Sequence, residues 1–70
     1  MPEMISVDSS NIEAIGYEEE NQELHVQFLS GGCYVYHGVP REIFDSLMDA
    51  PSKGSYLNRE IKGVYQYSKQ

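Results

Sequence analysis

Two stretches near the middle of the chain alternate between large and polar side chains. The first covers residues 23–29 and the second covers residues 33–37. Large side chains occupy every second position in both stretches: Leu24, Val26, Phe28, Tyr34 and Tyr36. A period of two predicts β-strands with one buried face. The intervening Ser30-Gly31-Gly32 contains glycines, which adopt the positive φ angles of hairpin turns, so we predict a β-hairpin.

The length of the hairpin loop decides which residues face each other across the two strands. A three-residue loop sets these pairs: Leu29 with Cys33, Phe28 with Tyr34, Val26 with Tyr36 and His25 with His37. A two-residue loop sets different pairs: Phe28 with Val35 and Val26 with His37. We favour the three-residue loop because it keeps the apolar and aromatic side chains on one face. Cross-strand pairs of this kind each stabilise a sheet by about 0.2–1 kcal/mol.

The spacing of the apolar residues changes after the hairpin. Apolar residues now recur three and four positions apart: Ile43, Phe44, Leu47 and Met48. This spacing predicts a helix with a single buried stripe. Pro40 suits the first turn of a helix, where its missing N–H costs no hydrogen bond, and Pro51 ends the pattern. We therefore predict a helix from Pro40 to Ala50.

The remaining elements are shorter. Residues 11–17 predict a first strand, and residues 64–67 alternate again and predict a last one. A second short helix begins after Ser52 or Ser55, either of which could cap its free N–H groups, and ends near Gly63. The predicted order is β-β-β-α-α-β. This order indicates an α+β fold, a small antiparallel β-meander with both helices packed on one face.

Seventy residues allow one domain. We expect a flexible N-terminal lead-in at 1–7, a single domain at 8–67 and a C-terminal tail at 68–70. No apolar run approaches the ~20 residues of a membrane-spanning helix, and residues 1–10 lack the basic and apolar regions of a secretory signal. The single cysteine excludes an internal disulfide. We therefore expect a cytoplasmic location, in a bacterium or a phage-infected cell.

Charge is distributed unevenly along the chain. The net charge is −6, and the first 35 residues contain seven acidic residues and no Lys or Arg. Four of the five basic residues follow Pro51: Lys53, Arg59, Lys62 and Lys69. An acidic chain repels polyanions at long range, whereas its acidic half would steer it towards a basic protein partner. A basic C-terminal face remains compatible with phosphate contacts.

Aromatic residues could contribute to a binding surface together with the basic residues. The chain has six tyrosines and no tryptophan. Rings presented by a sheet can stack on unpaired bases, at about 1–3 kcal/mol per base, while nearby cations hold phosphates. We expect Tyr34 and Tyr36 to belong to the core, and Tyr56 and Tyr67 to be more available for binding.

Three residues of metal-binding types fall on one face of the predicted hairpin: His25, Cys33 and His37. Structural zinc sites use four protein ligands, and here there are three at most. A Cys–His catalytic pair would also need an oxyanion site and a third group that orients the histidine, and no motif supplies them. We therefore predict no metal site, no cofactor and no catalytic activity.

Several segments together resemble a known family: Asp8–Ile12, Ala14–Tyr17, Phe28–Tyr36, Gly38–Pro40 and Ala50–Tyr67. They resemble the KTSC domain, a small family named for the C-terminal extension of some lysyl-tRNA synthetases and also found as free-standing bacterial and phage proteins. The resemblance covers about residues 7–67. Its most specific parts are the Tyr-x-Tyr of Tyr34 and Tyr36 and the Pro-Ser-Lys-Gly that begins at Pro51.

The resemblance implies a small, non-catalytic binding module, for which RNA or tRNA is the suggested ligand. It implies roles for four residues, Lys53, Tyr56, Asn58 and Arg59. The pattern of charge and aromatic residues adds Lys62 and Tyr67 to this candidate binding set. A protein-interaction module, steered to a basic partner by the acidic N-terminal half, is the alternative. Homodimerisation through an exposed edge of the last strand is also open.

Overall fold

Five antiparallel strands form one sheet in the order of the chain. They are β1 (Ile5–Ser6), β2 (Ile12–Glu18), β3 (Glu23–Phe28), β4 (Cys33–Tyr36) and β5 (Tyr67–Lys69). Between β4 and β5 lie helix α1 (Arg41–Asp49) and helix α2 (Lys53–Tyr56), which continues directly into a π-helical turn (Leu57–Ile61). This computed structural model describes residues 2–70. It confirms the predicted α+β class and antiparallel sheet, with one strand more than the sequence predicted.

The hydrophobic core lies between one face of the sheet and the helices. Its members come from β2, β3, β4, both helical segments and the loop after β4: Ile12, Ile15, Leu24, Val26, Tyr36, Val39, Leu47, Leu57 and Ile61. None of these side chains is more than 2% exposed. Burying one aliphatic side chain of this size contributes about 1.5–3 kcal/mol. The alternation in β3 and β4 therefore fixes which face of the sheet receives the helices.

The predicted hairpin register is wrong by two positions. Val26 lies opposite Tyr34, and Leu24 lies opposite Tyr36. The loop has three residues, as expected, but it closes one residue earlier, because Phe28 N–H donates to Gly32 O at 2.8 Å. Gly31 occupies the position with positive φ, at 103°. A shift of two leaves every side chain on its predicted face.

The last strand begins later than predicted. Residues 64–67 were expected to form it, but Val64 N–H and Tyr65 N–H both donate to Ile61 O, at 3.0 and 3.1 Å. Gly63, with φ of 81°, completes this turn at the end of the helix. The chain must reverse direction here before it can pair with β4. Strand β5 therefore starts at Tyr67.

Both ends of the chain contribute strand structure. Within the expected lead-in, Ile5 and Ser6 pair with β2. The residues before them cross Gly16, where an added Cβ would lie 2.6 Å from Met4 Sδ and 2.9 Å from Glu3 O. Within the expected tail, β5 extends to Lys69. Met1, the remaining residue of the lead-in, lies outside the described part of the chain.

No helix within residues 2–70 has the length and apolar character that crossing a membrane requires.

Candidate functional site

An open groove lies where strands β4 and β5 meet the end of the π-helical turn. Its volume is about 840 Å³. Four aromatic residues and two polar ones dominate its lining: Phe28, Tyr34, Tyr36, Tyr67, Asn58 and Lys62. We call this surface the aromatic groove. None of its described lining residues is acidic.

The four rings form a continuous row. Phe28 meets Tyr34 edge to face, with ring centroids 5.4 Å apart. Tyr67 then contacts two rings, with its centroid 5.4 Å from that of Tyr34 and 5.7 Å from that of Tyr36. Tyr36 is 1% exposed and anchors the row in the core, whereas Tyr67 is 58% exposed. Tyr67 is therefore the ring most accessible to a ligand.

Pairing between β4 and β5 produces this row. Tyr67 lies opposite Tyr36, and Lys69 lies opposite Tyr34. The Lys69 Nζ atom is 6.0 Å from the centroid of the Tyr34 ring. Burial raises the pKa of Tyr36, and the neighbouring Tyr34 and Tyr67 raise it further. The Tyr36 phenol therefore remains neutral well above physiological pH.

The helical wall of the groove depends on a capped first turn and two buried anchors. The Ser52 side-chain oxygen accepts a hydrogen bond from Ser55 N–H at 3.4 Å, as an N-cap does. Leu57 and Ile61 are buried in the core. The residue after each anchor, Asn58 or Lys62, is exposed and lines the groove.

A smaller cavity of about 380 Å³ adjoins the groove. We call it the polar recess. Its polar side chains are Ser10, Asn11, Ser52, Ser55, Asn58 and Lys62. The recess and the groove share five residues: Ser10, Asn11, Phe28, Asn58 and Lys62. Gly54 allows Asn11 to approach α2, because a Cβ at Gly54 would lie 2.5 Å from Asn11 Oδ1.

The structure brings together only some of the residues in the candidate binding set. Asn58, Lys62 and Tyr67 line the aromatic groove. Tyr56 and Arg59 line a separate cavity of about 550 Å³.

Lys53 and Arg59 are engaged within the chain. Lys53 Nζ donates to Ala50 O at 3.4 Å. Arg59 Nε donates to Glu60 Oε2 at 3.0 Å, and its guanidinium carbon lies 5.8 Å from the centroid of the Tyr56 ring. These contacts leave Lys53 and Arg59 less available to an external phosphate than Lys62.

Sequence reasoning did not include Phe28 and Tyr34 in the candidate binding set. Tyr34 was expected to lie in the core, but it is only partly buried and lines the groove. Alternation placed both residues on the helix-covered face of the sheet, and that signal is correct. The sequence did not reveal that this end of the face remains open.

The histidines of the hairpin lie on the opposite face. The predicted pairing of His25 with His37 is wrong, because His25 lies opposite Val35. The Glu23 carboxylate lies between the two rings, 3.7 Å from His25 Nε2 and 3.4 Å from His37 Nδ1. Within residues 2–70, no three His, Cys, Asp or Glu side chains are grouped so that they could hold a metal ion.

Comparison with known proteins places this fold in a family. Residues 8–67 match the KTSC domain. A protein from Tsukamurella paurometabola is 44% identical over 59 residues, which cover 84% of this chain and 88% of that protein. An uncharacterized protein from Stutzerimonas stutzeri is 38% identical over 58 residues, which cover 83% of this chain and 82% of that protein.

A larger protein contains a similar segment. The lysine–tRNA ligase of Nostoc punctiforme is 36% identical over 64 residues, which cover 91% of this chain but 11% of the ligase. The crystal structure of a KTSC domain protein from Yersinia pestis matches with a TM-score of 0.96 and 37% identity, over 100% of this chain and 99% of that chain. Together, the match over residues 8–67 and the shared fold show that this chain belongs to the KTSC domain family.

Proposed function

We propose that this chain is a non-catalytic module that binds single-stranded RNA through the aromatic groove. One observation carries the proposal. A row of four aromatic rings and a lysine line one open groove, and none of its described lining residues is acidic. This local composition contrasts with the net charge of −6 for the whole chain.

The groove matches the chemistry of an unpaired nucleotide. Bases stack on aromatic side chains with about 1–3 kcal/mol each, and stacking tolerates any base sequence. Tyr67 presents an accessible ring for such a stack. The Asn58 amide can both donate to and accept from the edge of a base. Duplex RNA keeps its base faces stacked inside the helix, so the ligand is single-stranded.

The glutamates at the turn between β2 and β3 repel an RNA ligand in the groove only weakly. Glu18–Glu20 lie at one end of β3, and Phe28 lies at the other. Six residues at about 3.4 Å each separate the two by about 20 Å. The Debye length at physiological ionic strength is about 8 Å, so these charges are largely screened at the groove. These three glutamates therefore contribute little to the electrostatic potential at the groove.

The relatives support RNA as the ligand class. A segment similar to this chain occupies 11% of the lysine–tRNA ligase of Nostoc punctiforme. That protein is named as a ligase that acts on tRNA, and an attached RNA-binding module would help it retain this substrate. Unpaired loops and ends of a tRNA are thus one class of ligand for the groove.

A two-dimensional amide NMR titration tests the proposal. We expect a bulk tRNA mixture and a short single-stranded oligoribonucleotide to shift the amides of Tyr34, Asn58, Lys62 and Tyr67 at low salt. Binding should weaken steeply as salt rises, because phosphate contacts release counterions. Salt-independent binding, or shifts centred on Tyr56 and Arg59, would contradict it. If no amide moves even at low salt, the acidic half and a basic protein partner become the better explanation.

A further inference from the structure

The aromatic groove and the polar recess differ in chemistry although they adjoin. The rings of Tyr34, Tyr36 and Tyr67 line only the groove, whereas the hydroxyl groups of Ser52 and Ser55 line only the recess. Five residues line both cavities and therefore lie at the junction between them: Ser10, Asn11, Phe28, Asn58 and Lys62. A ligand that filled both would need a planar apolar part joined to a compact polar part.

We propose that the two cavities form one nucleotide site, in which the groove takes the base and the recess takes the phosphate. The ligand unit is a nucleoside monophosphate, either free or within a single strand. This inference rests on the proposed function and adds to it which part of the nucleotide each cavity receives.

The recess has the donors that a phosphate requires. Within residues 2–70, Lys62 makes no ion pair, so its ammonium group is free to meet an anion. Asn11 accepts a hydrogen bond from Ser9 Oγ through Oδ1, at 3.1 Å, which leaves its Nδ2 group to donate. The Ser55 hydroxyl lies beside that of Ser52, at 3.1 Å. Hydrogen bonds from such donors to an ionised phosphate are about twice as strong as those between neutral partners.

The recess also lacks groups that would repel a phosphate. None of its described lining residues is acidic, in contrast to the cavity beside Arg59, which contains Asp49. A carboxylate in the recess would impose like-charge repulsion on a phosphate.

The groove suits a base better than an aliphatic side chain. Tyr67 lies within stacking distance of Tyr34 and Tyr36, so the row holds it in place. Offset stacking on a held ring favours a planar ligand. The two cavity volumes, about 840 and 380 Å³, fall within the usual range of small-ligand sites, about 300–1,000 Å³.

Three small probes separate the two halves of the site: adenosine monophosphate, adenosine and inorganic phosphate. We expect the monophosphate to bind about tenfold or more tightly than either of the others, because only it fills both cavities. Its amide shifts should cover Asn11, Ser55, Lys62 and Tyr67. Inorganic phosphate should shift Ser55 and Lys62 and leave Tyr67 unmoved.

Two variants locate the base and the phosphate. Lys62→Gln should reduce the affinity for adenosine monophosphate towards that for adenosine, and should weaken adenosine itself much less. Tyr67→Ala should weaken both compounds by a similar factor. Arg59→Gln, in the separate cavity, is the matched control and should leave all three affinities unchanged. Since all three side chains are exposed, the variants should keep the wild-type fold, with spectral changes confined to residues beside each substitution.

The outcomes distinguish this inference from the proposed function. If an oligoribonucleotide shifts the groove but adenosine and its monophosphate bind equally, the nucleotide site is wrong and RNA binding stands. If the monophosphate binds as expected and a trinucleotide adds no affinity, the nucleotide site stands and RNA binding is wrong. If neither ligand shifts the groove, both are wrong.

Discussion

Two corners of the sheet combine aromatic rings in contact with a nearby cation, and they differ in what surrounds that cation. In the first, which we call the closed corner, Tyr17 and Phe44 stack with centroids 5.1 Å apart and planes 15° apart. The Arg41 guanidinium carbon lies 5.8 Å from the centroid of the Phe44 ring. Arg41 also contacts Glu19 and Asp45, each at 3.2 Å. The positive charge of Arg41 is thus paired with acidic residues inside the closed corner.

The aromatic groove has similar components without an acidic partner. Tyr34 and Tyr67 lie 5.4 Å apart, and Lys69 lies over Tyr34. Within the part of the chain that the structure describes, neither Lys62 nor Lys69 forms an ion pair. Rings and cations alone therefore do not identify a binding site. Because they lack an acidic partner within the chain, Lys62 and Lys69 are available to bind an external anion.

The largest expected effect comes from removing the core anchor of the groove. Ile61 is 0% exposed and ends the π-helical turn that carries Asn58. Ile61→Ala should lower the free energy of unfolding by about 2–5 kcal/mol, because it leaves a cavity in the core. Chemical denaturation measures this loss. Val64→Ala is the control, since Val64 is 63% exposed and its truncation should cost less than about 0.5 kcal/mol. Equal stability of the two variants would contradict the role of Ile61 as a core anchor.

The next effect concerns the accessible ring of the groove. Tyr67→Ala should weaken binding of single-stranded RNA by about 1–3 kcal/mol, because one base loses its stacking platform. Titration calorimetry measures the change. Tyr67→Phe keeps the ring and should bind close to wild type. An unchanged affinity for Tyr67→Ala would show that bases do not stack there.

Neutralising Lys62 of the aromatic groove and neutralising Arg41 of the closed corner should affect RNA binding differently. Lys62→Gln should weaken RNA binding about tenfold, or ~1.4 kcal/mol, and reduce the salt slope by about one, because it removes one phosphate contact. Arg41→Gln should change neither quantity, since Glu19 and Asp45 already neutralise that charge. Affinities measured at several salt concentrations test both variants. A larger effect for Arg41 would reverse the comparison between the two corners.

A smaller effect is expected within the closed corner. Tyr17 OH donates to Val39 O at 2.6 Å. Tyr17→Phe keeps the ring stack and removes this hydrogen bond, so it should lower the free energy of unfolding by about 0.5–1.5 kcal/mol. RNA affinity should stay unchanged. A loss of affinity with no loss of stability would indicate that the closed corner also contacts the ligand.

The smallest effect is on the free energy of unfolding, and it appears only at alkaline pH. Burial raises the pKa of Tyr17, and the nearby Glu19 raises it further. The unfolded chain therefore loses this proton more readily than the folded one. The resulting stability is fully present below about pH 10, the ordinary pKa of tyrosine, and is lost as pH rises through the higher folded pKa. Urea unfolding above and below this pH should show a weaker decline for Tyr17→Phe. An identical decline would assign the effect to Tyr36 alone.

Local patterns predicted much of the fold. Alternation placed Leu24, Val26 and Tyr36 on the buried face, and helical spacing placed Leu47 in the core. These predictions succeed because a strand or helix period is a property of adjacent residues. The hairpin register and the start of β5 were wrong, since each depends on where a turn closes and not on the period of the strand.

The binding-site residues divide in the same way. Lys62 and Tyr67 follow from charge and aromatic content, and the structure places both in the aromatic groove. Their role in binding stays a prediction. Tyr34 and Phe28 complete the groove, but no local pattern showed that the helices leave them partly uncovered.

The sequence by itself determined the types of four elements, β2, β3, β4 and α1, the buried faces of the last three, and the membership of the family. Each depends on the identity and spacing of neighbouring residues. The tertiary structure decided which rings meet and which cations lack an acidic partner. Tyr36 and Tyr67 are far apart in the chain, and only the pairing of β4 with β5 brings them together. Ligand access is therefore a property of long-range packing, which no short segment of the chain encodes alone.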